Sequence, residues 1–132
     1  ISKQMQLTNV FFMPLQPLEK FNRFLNMADV HLIIQKINAG DLVMPSKLTN
    51  VLAVGGLAIV TANQGTSLYE LLEESKLGIL INAEDQQALN EGIKKAIDNH
   101  SKDYSRNART FAEENLSINR VMERFLADAA IN

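Results

Sequence analysis

A chain of 132 residues can close one ordinary core, and its formal charge of −2 gives no bulk electrostatic case for nucleic acid or an anionic membrane. It has no cysteine, which excludes disulfides and thiol chemistry and fits a reducing, cytoplasmic setting. Two histidines with no carboxylate–histidine cluster argue against a metal site, and no apolar run approaches the roughly 20 residues of a membrane helix.

The chain opens Ile1-Ser2-Lys3-Gln4, without an initiator Met or a signal-peptide pattern, as a fragment or processed chain would. Residues 1–9 are polar and unpatterned. Val10-Phe11-Phe12-Met13 is a continuous apolar run stopped by Pro14, the pattern of a strand buried on both faces. Pro17 then opens a helical pattern with Leu18, Phe21, Phe24, Leu25 and Ala28 on one face. Val30-His31-Leu32-Ile33-Ile34 is a second buried strand. A polar loop from Gln35 to Met44 follows, feeding a helix that opens Pro45-Ser46-Lys47 and closes Gly55-Gly56. Leu48, Val51 and Leu52 form its inward stripe, and Gly55 fits the left-handed position after its end.

Leu57 to Thr61 is the third strand, and Ala62 to Thr66 a turn-rich loop. Ser67 to Glu70 has the spacing of a capping box. Gly78 is expected to end that helix, and Ile79-Leu80-Ile81 to form the fourth strand. Asp85 caps the next helix, in which Gly92 costs about 1 kcal/mol relative to Ala. Ser101 and Ser117 each resemble an N-cap and open two final helices. Neither a repeat nor a linker divides residues 1–132, so they are expected to form one partial domain.

Apolar runs alternating with helical patterns predict an α/β fold: a Rossmann-like parallel sheet with flanking helices and extra C-terminal helices. In such sheets ligands bind beyond the carboxyl ends of the strands. The ten-residue loop there exceeds the usual 2–6 residues and calls for a ligand. Lys47 in a first helical turn opposes the helix dipole unless an anion sits there. An exposed lysine at a small energetic cost explains it equally well. Ser46 suits a cap better than an anion ligand. Asp41 could accept from sugar hydroxyls or satisfy its own turn, and Lys36 and Asn38 share its loop. Gly65 and Thr66 could offer backbone donors to a phosphate, although an ordinary strand-to-helix turn accounts for them. His31, far from the functional end, is expected to be a satisfied structural residue. His100 ends a helix, where a cation is favoured. No Ser–His–Asp arrangement, GxGxxG or GxxxxGK[ST] motif occurs.

From Val10 to Leu126 the chain resembles the C-terminal domain of retaining GT-B glycosyltransferases of family 4, most closely the exopolysaccharide, colanic-acid type. The carriers are Phe12-Met13-Pro14, Met27-Ala28-Asp29-Val30, Pro45-Ser46-Lys47-Leu48, Leu52 to Gly56, Gly65-Thr66-Ser67-Leu68 and Gly78 to Asn82. The resemblance implies an N-terminally truncated half of a GT-B fold that binds a nucleoside-diphosphate sugar, without a cofactor. A separate N-terminal domain, missing here, would bind the acceptor. The fragment alone is then expected to be inactive, and the full-length enzyme to be cytoplasmic or membrane-peripheral.

By that resemblance the loop and helix after the second strand, with Lys36, Ser46 and Lys47, hold the sugar and diphosphate, and Gly65 and Thr66 remain candidate backbone donors by their place before the next helix. The family's ribose-binding Glu, five residues before the helix-ending Gly, is Asn50 here. Its first Glu falls on Leu42, and Asp41, the nearest acid, takes the catalytic role. Two strands that carry diphosphate-binding Arg and Lys are lacking. They would lie between Val10–Met13 and Val30–Ile34, so the sheet is expected to close by pairing those runs directly or to associate with another chain through exposed edges, as a homo-oligomer does. A GT-B-fold nucleotide-sugar epimerase and a non-enzymatic flavodoxin- or receiver-like module are the alternatives.

Overall fold

A computed structural model describes residues 4–37, 44–98 and 102–129. In chain order these form α1 (Leu18–Leu25), β1 (His31–Ile33), α2 (Ser46–Ala53), β2 (Ala58–Thr61), α3 (Ser67–Glu74), β3 (Ile79–Ile81), α4 (Gln86–Asp98), α5 (Lys102–Asn115) and α6 (Ile118–Ala129). The strands make a three-stranded parallel sheet ordered β1-β2-β3. His31 stands opposite Ala58, and Thr61 opposite Ile81. The fold is α/β with a Rossmann-like half-sheet, as its sequence rhythm predicts.

Strand alternation divides the core in two. Ala58 and Val60 face one side, with Leu48, Val51 and Leu52 of α2, Leu72 of α3 and Ala108 and Ala112 of α5. Leu57 and Ile59 face the other, with Ile79, Ile81 and Ala96 of α4. Central β2 is buried along its whole length. The helix α2 is also held at its end. Gly55 adopts φ +68°, Gly55 N–H donates to the Leu52 carbonyl at 3.0 Å and Gly56 N–H to Val51 at 2.9 Å. That is the left-handed closure foreseen for Gly55. The Arg109 guanidinium of α5 donates to the Ala53 carbonyl, placing a cation at the negative end of α2.

Several expectations fail. Val10–Met13 is not a strand: Phe11 and Phe12 are each 82% exposed, and the run does not pair with Val30–Ile34. An apolar run becomes a buried strand only where layers exist on both sides of it, and the described residues supply none. Among the described residues β1 is consequently an edge, not an interior strand, with Leu32 and Ile34 about half exposed.

Helix caps move by a residue or two. Pro45, not Ser46, precedes α2, and it offers no side-chain cap. Thr66, not Ser67, caps α3: its hydroxyl accepts from Tyr69 N–H at 3.2 Å. α3 ends before Gly78. Lys76 takes φ +48°, and Leu77 N–H donates to the Leu72 carbonyl at 3.2 Å, with both leucines in the core. A lysine thus holds the left-handed position that glycine fills without strain. Lys76→Gly is therefore expected to raise stability by about 0.5–1 kcal/mol, read as a higher midpoint in urea. An unchanged or lower midpoint would show that unfolded-chain entropy outweighs the relief.

Asp85 caps α4 as expected, accepting from Ala88 N–H at 2.9 Å. Ser117 precedes α6, and its carbonyl accepts from Val121 N–H at 3.0 Å. Ser101 and His100 lie outside the described residues. Gly92 is no simple weakness. A Cβ there would lie 2.9 Å from Ile81 Cγ2 and 3.4 Å from Ile59 Cγ2, so its absence lets α4 approach the sheet. Gly92→Ala is expected to destabilise by about 1–3 kcal/mol through overpacking, against the helix-propensity gain of about 1 kcal/mol. Net stabilisation in thermal melts would contradict this packing.

Candidate functional site

The carboxyl ends of the strands are built around one buried hydroxyl. Thr61 Oγ1 accepts from Gln35 N–H at 2.6 Å and lies 3.1 Å from the Gln35 carbonyl, to which it donates. Two residues on, Asn63 Nδ2 donates to the Ile37 carbonyl at 2.7 Å. The chain leaving β1 is thereby clamped to the end of β2. Thr61 and Asn63 had no functional reading in the sequence. Their signal was faint: a threonine ending an apolar strand and an asparagine opening the next turn.

Beyond Ile37 the loop passes through residues 38–43, outside the described set, so Asp41, Asn38 and Leu42 receive no geometry. Lys36 is exposed at the clamped stub. The described chain resumes at Met44, which packs against the core beside α2. The Pro45 carbonyl accepts from Leu48 and Thr49 N–H at 2.8 and 3.2 Å. The Ser46 and Lys47 N–H groups have no partner among the described residues. α2 has no side-chain cap and no acid in its first turn. Ser46, Lys47 and Asn50 are all exposed, and Asn50 stands one turn along from Ser46 and Lys47 on the same side.

α3 is the instructive contrast. Thr66 Oγ1 donates to the Asn63 carbonyl at 2.6 Å while accepting from Tyr69, and Glu70 lies in the first turn. Its amino end is satisfied by its own residues and carries an acid. Gly65, at φ +83°, completes the Asn63–Thr66 turn closed by Thr66 N–H to Asn63 at 3.1 Å. This is the position of a type II turn that calls for glycine. A Cβ there would meet nothing within 4 Å, so Gly65 serves the turn and not a close contact. Of the three helix openings at this edge, those of α2, α3 and the Asp85-capped α4, only that of α2 presents amides without a partner among the described residues, beside a cation. Ser46, Lys47 and Asn50 are brought together; Gly65 and Thr66 belong to a self-contained cap.

A cleft of about 280 Å³ lies elsewhere, along β3, between Tyr69 of α3 and Glu91 and Lys95 of α4. None of the candidate residues lines it. Tyr69 donates to the Glu73 carboxylate at 3.1 Å, and that bond raises its pKa.

His31 sits at the opposite, amino end of the sheet. Contrary to the sequence expectation its hydrogen bonding is incomplete: Nε2 is buried without a partner among the described residues. Gly56 makes room for the ring, since a Cβ there would lie 2.8 Å from Cδ2 and 2.9 Å from Nε2. Burial lowers the His31 pKa below 6.5, and a hydrogen bond with the Leu25 backbone opposes the shift only partly. The unfolded chain therefore binds more protons there than the folded one. Stability is expected to fall as pH drops from 6.5 toward the depressed folded value, and to stop falling on this account below it. Melting curves of wild type and His31→Asn test this. The variant should lose less stability across that window; parallel curves would show that His31 contributes nothing to the pH dependence.

Among the described residues no group of His, Asp and Glu is placed to hold a metal ion, and no helix is long and apolar enough to cross a membrane. No family model and no solved structure matches the chain. Over 129 residues it is 38% identical to an Escherichia coli (strain K12) protein provisionally named the colanic acid biosynthesis glycosyl transferase WcaI. That match covers 97% of this chain but 31% of the relative, so the chain spans about a third of the relative's length. The chain is thus related to a glycosyltransferase. The match takes in both β1 and α2, since 129 of 132 residues are aligned.

Proposed function

We propose that this chain is the donor-binding part of a retaining, GT-B-fold glycosyltransferase of family 4, of the colanic-acid exopolysaccharide type. It transfers a sugar from a nucleoside-diphosphate sugar to a glycan or lipid-linked acceptor. The observation that carries the reading is the uncapped, acid-free opening of α2 with Lys47, in a chain 38% identical to a named glycosyl transferase.

The donor diphosphate lies against the first turn of α2. The Ser46 and Lys47 amides donate to it, and the Lys47 ammonium offsets its charge. As the sugar–phosphate bond breaks, negative charge grows on the leaving diphosphate, and these groups hold it better than they hold the bound donor. Asn50 hydrogen-bonds a ribose hydroxyl, Lys36 approaches the phosphates from the clamped stub, and Asp41 takes the acid's role at the sugar. Gly65 and Thr66 shape the far wall through their turn. A separate domain of a longer polypeptide binds the acceptor, in the cytoplasm or at a membrane surface.

Calorimetric titration of the protein with UDP- and GDP-sugars tests the reading. Saturable binding of one nucleotide class, competed by the matching free diphosphate, is expected. No binding of any nucleotide sugar would remove it.

A further inference from the structure

Backbone pairing between β1 and β2 stops at Ile33 and Val60, yet the chain beyond β1 stays attached. Side chains take over the rungs. Thr61 Oγ1 accepts from the Gln35 N–H at 2.6 Å and donates to the Gln35 carbonyl at 3.1 Å. Asn63 Nδ2 donates to the Ile37 carbonyl at 2.7 Å. These anchors are two residues apart on both segments, the period of a strand. Among the described residues Thr61 is the one polar residue that is buried, at 3% exposure, in a strand otherwise made of Ala58, Ile59 and Val60. Valine has nearly the same shape and would leave no buried hydroxyl to satisfy. Packing therefore does not call for threonine. Among the described residues its hydroxyl bonds only the end of β1 and the chain leaving it. Asn63 also accepts, through its carbonyl, from Thr66 N–H and Oγ1, so it ties the turn before α3 to the exit of β1.

We propose that Thr61 and Asn63 are positioning residues for a nucleoside diphosphate, an inference that rests on the donor-binding reading of this edge. They hold Gln35 to Ile37 in place before a ligand arrives and act through Lys36, which lies between the two anchored residues with its side chain exposed. The βαβ order brings this stub and the opening of α2 to the same end of the sheet. A lysine on an untethered segment has to be ordered when the diphosphate binds. Here its backbone is fixed when the domain folds, so less binding energy is lost to ordering. The hydroxyl and the amide contribute by holding the backbone that carries the cation, not by touching the diphosphate.

Two substitutions of Thr61 separate this role from packing. Thr61→Val removes the hydroxyl and keeps the bulk; Thr61→Ser keeps the hydroxyl and removes a methyl. Hydrogen exchange of the 132-residue chain without ligand reads the clamp itself. The Gln35 amide should exchange about tenfold faster in Thr61→Val, with amides inside β2 unchanged, and near the wild-type rate in Thr61→Ser. Calorimetric titration with UDP and GDP reads the consequence. Thr61→Val and Asn63→Ala should bind about fivefold to tenfold more weakly than wild type and Thr61→Ser close to it. Thr61→Val should add little further loss once Lys36→Ala is present. If Thr61→Val does not fold, Asn63→Ala, at a half-buried turn position, carries the same comparison. Wild-type affinity in a folded Thr61→Val whose Gln35 amide exchanges fast overturns the proposal and leaves the donor site standing. So does a full, additive loss in the Lys36→Ala background, which would mean that Thr61 does not act through Lys36. Binding of neither diphosphate by wild type removes the donor site and this role together.

Discussion

Leu52→Ala should cost the domain about 2–5 kcal/mol, a larger loss of stability than overpacking at Gly92 produces. Leu52 is wholly buried on α2, in a cluster with Leu48, Val51, Val60, Ala108 and Ala112. Two of those neighbours are alanines, which cannot reach into the space a truncated side chain leaves. The sheet beneath has three strands and cannot shift toward α2 without parting from α4 on its other face. Small domains hold about 5–15 kcal/mol in total, so this single change takes much of it. Urea titration followed by circular dichroism measures the loss. A change below about 1 kcal/mol would mean that α2 and α5 close the cavity, and that α2 packs more loosely than its full burial implies.

Lys47→Glu should act in opposite directions on two observables. In the unliganded domain it replaces a cation with an acid in the first turn of α2, where none now sits. The dipole, and amides that have no partner among the described residues, favour an anion there, so the variant should be more stable by about 0.3–1 kcal/mol. Binding of a diphosphate should suffer. A charge-assisted contact worth about 1.5–3 kcal/mol is lost, and a carboxylate now competes for the same amides. The expected loss of affinity is at least about tenfold to a hundredfold. A merely solvated lysine would show the first effect without the second. A lysine essential to folding would show neither sign.

What could be read from the chain alone follows the reach of each signal. The β2–α3–β3–α4 stretch was legible because alternation, periodicity and turn residues are local, and Gly55 and Asp85 act on residues three or four positions away. Val10–Met13 was misread because burial depends on layers from elsewhere in space, and its apolar run looks the same with or without them. The caps at Pro45 and Thr66 were missed by one residue because Ser46 and Ser67 are the stronger capping types. Backbone geometry gave the positions to their neighbours. Lys76 gave no sign of its left-handed backbone, and Gly92 could be judged only once Ile81 and Ile59 lay beneath it. At the candidate site, Lys47 stood out as a misplaced charge. The Thr61 and Asn63 clamp joins residues 26 positions apart, a distance no local pattern spans.

Calorimetric titration of wild type and Lys47→Glu with UDP and GDP, beside thermal melts of both without ligand, tests the diphosphate role of α2 most directly. Wild type is expected to bind one of the two diphosphates, and the variant to melt higher yet bind at least about tenfold more weakly. Equal affinity in a folded variant would contradict that role and return Lys47 to the solvated surface.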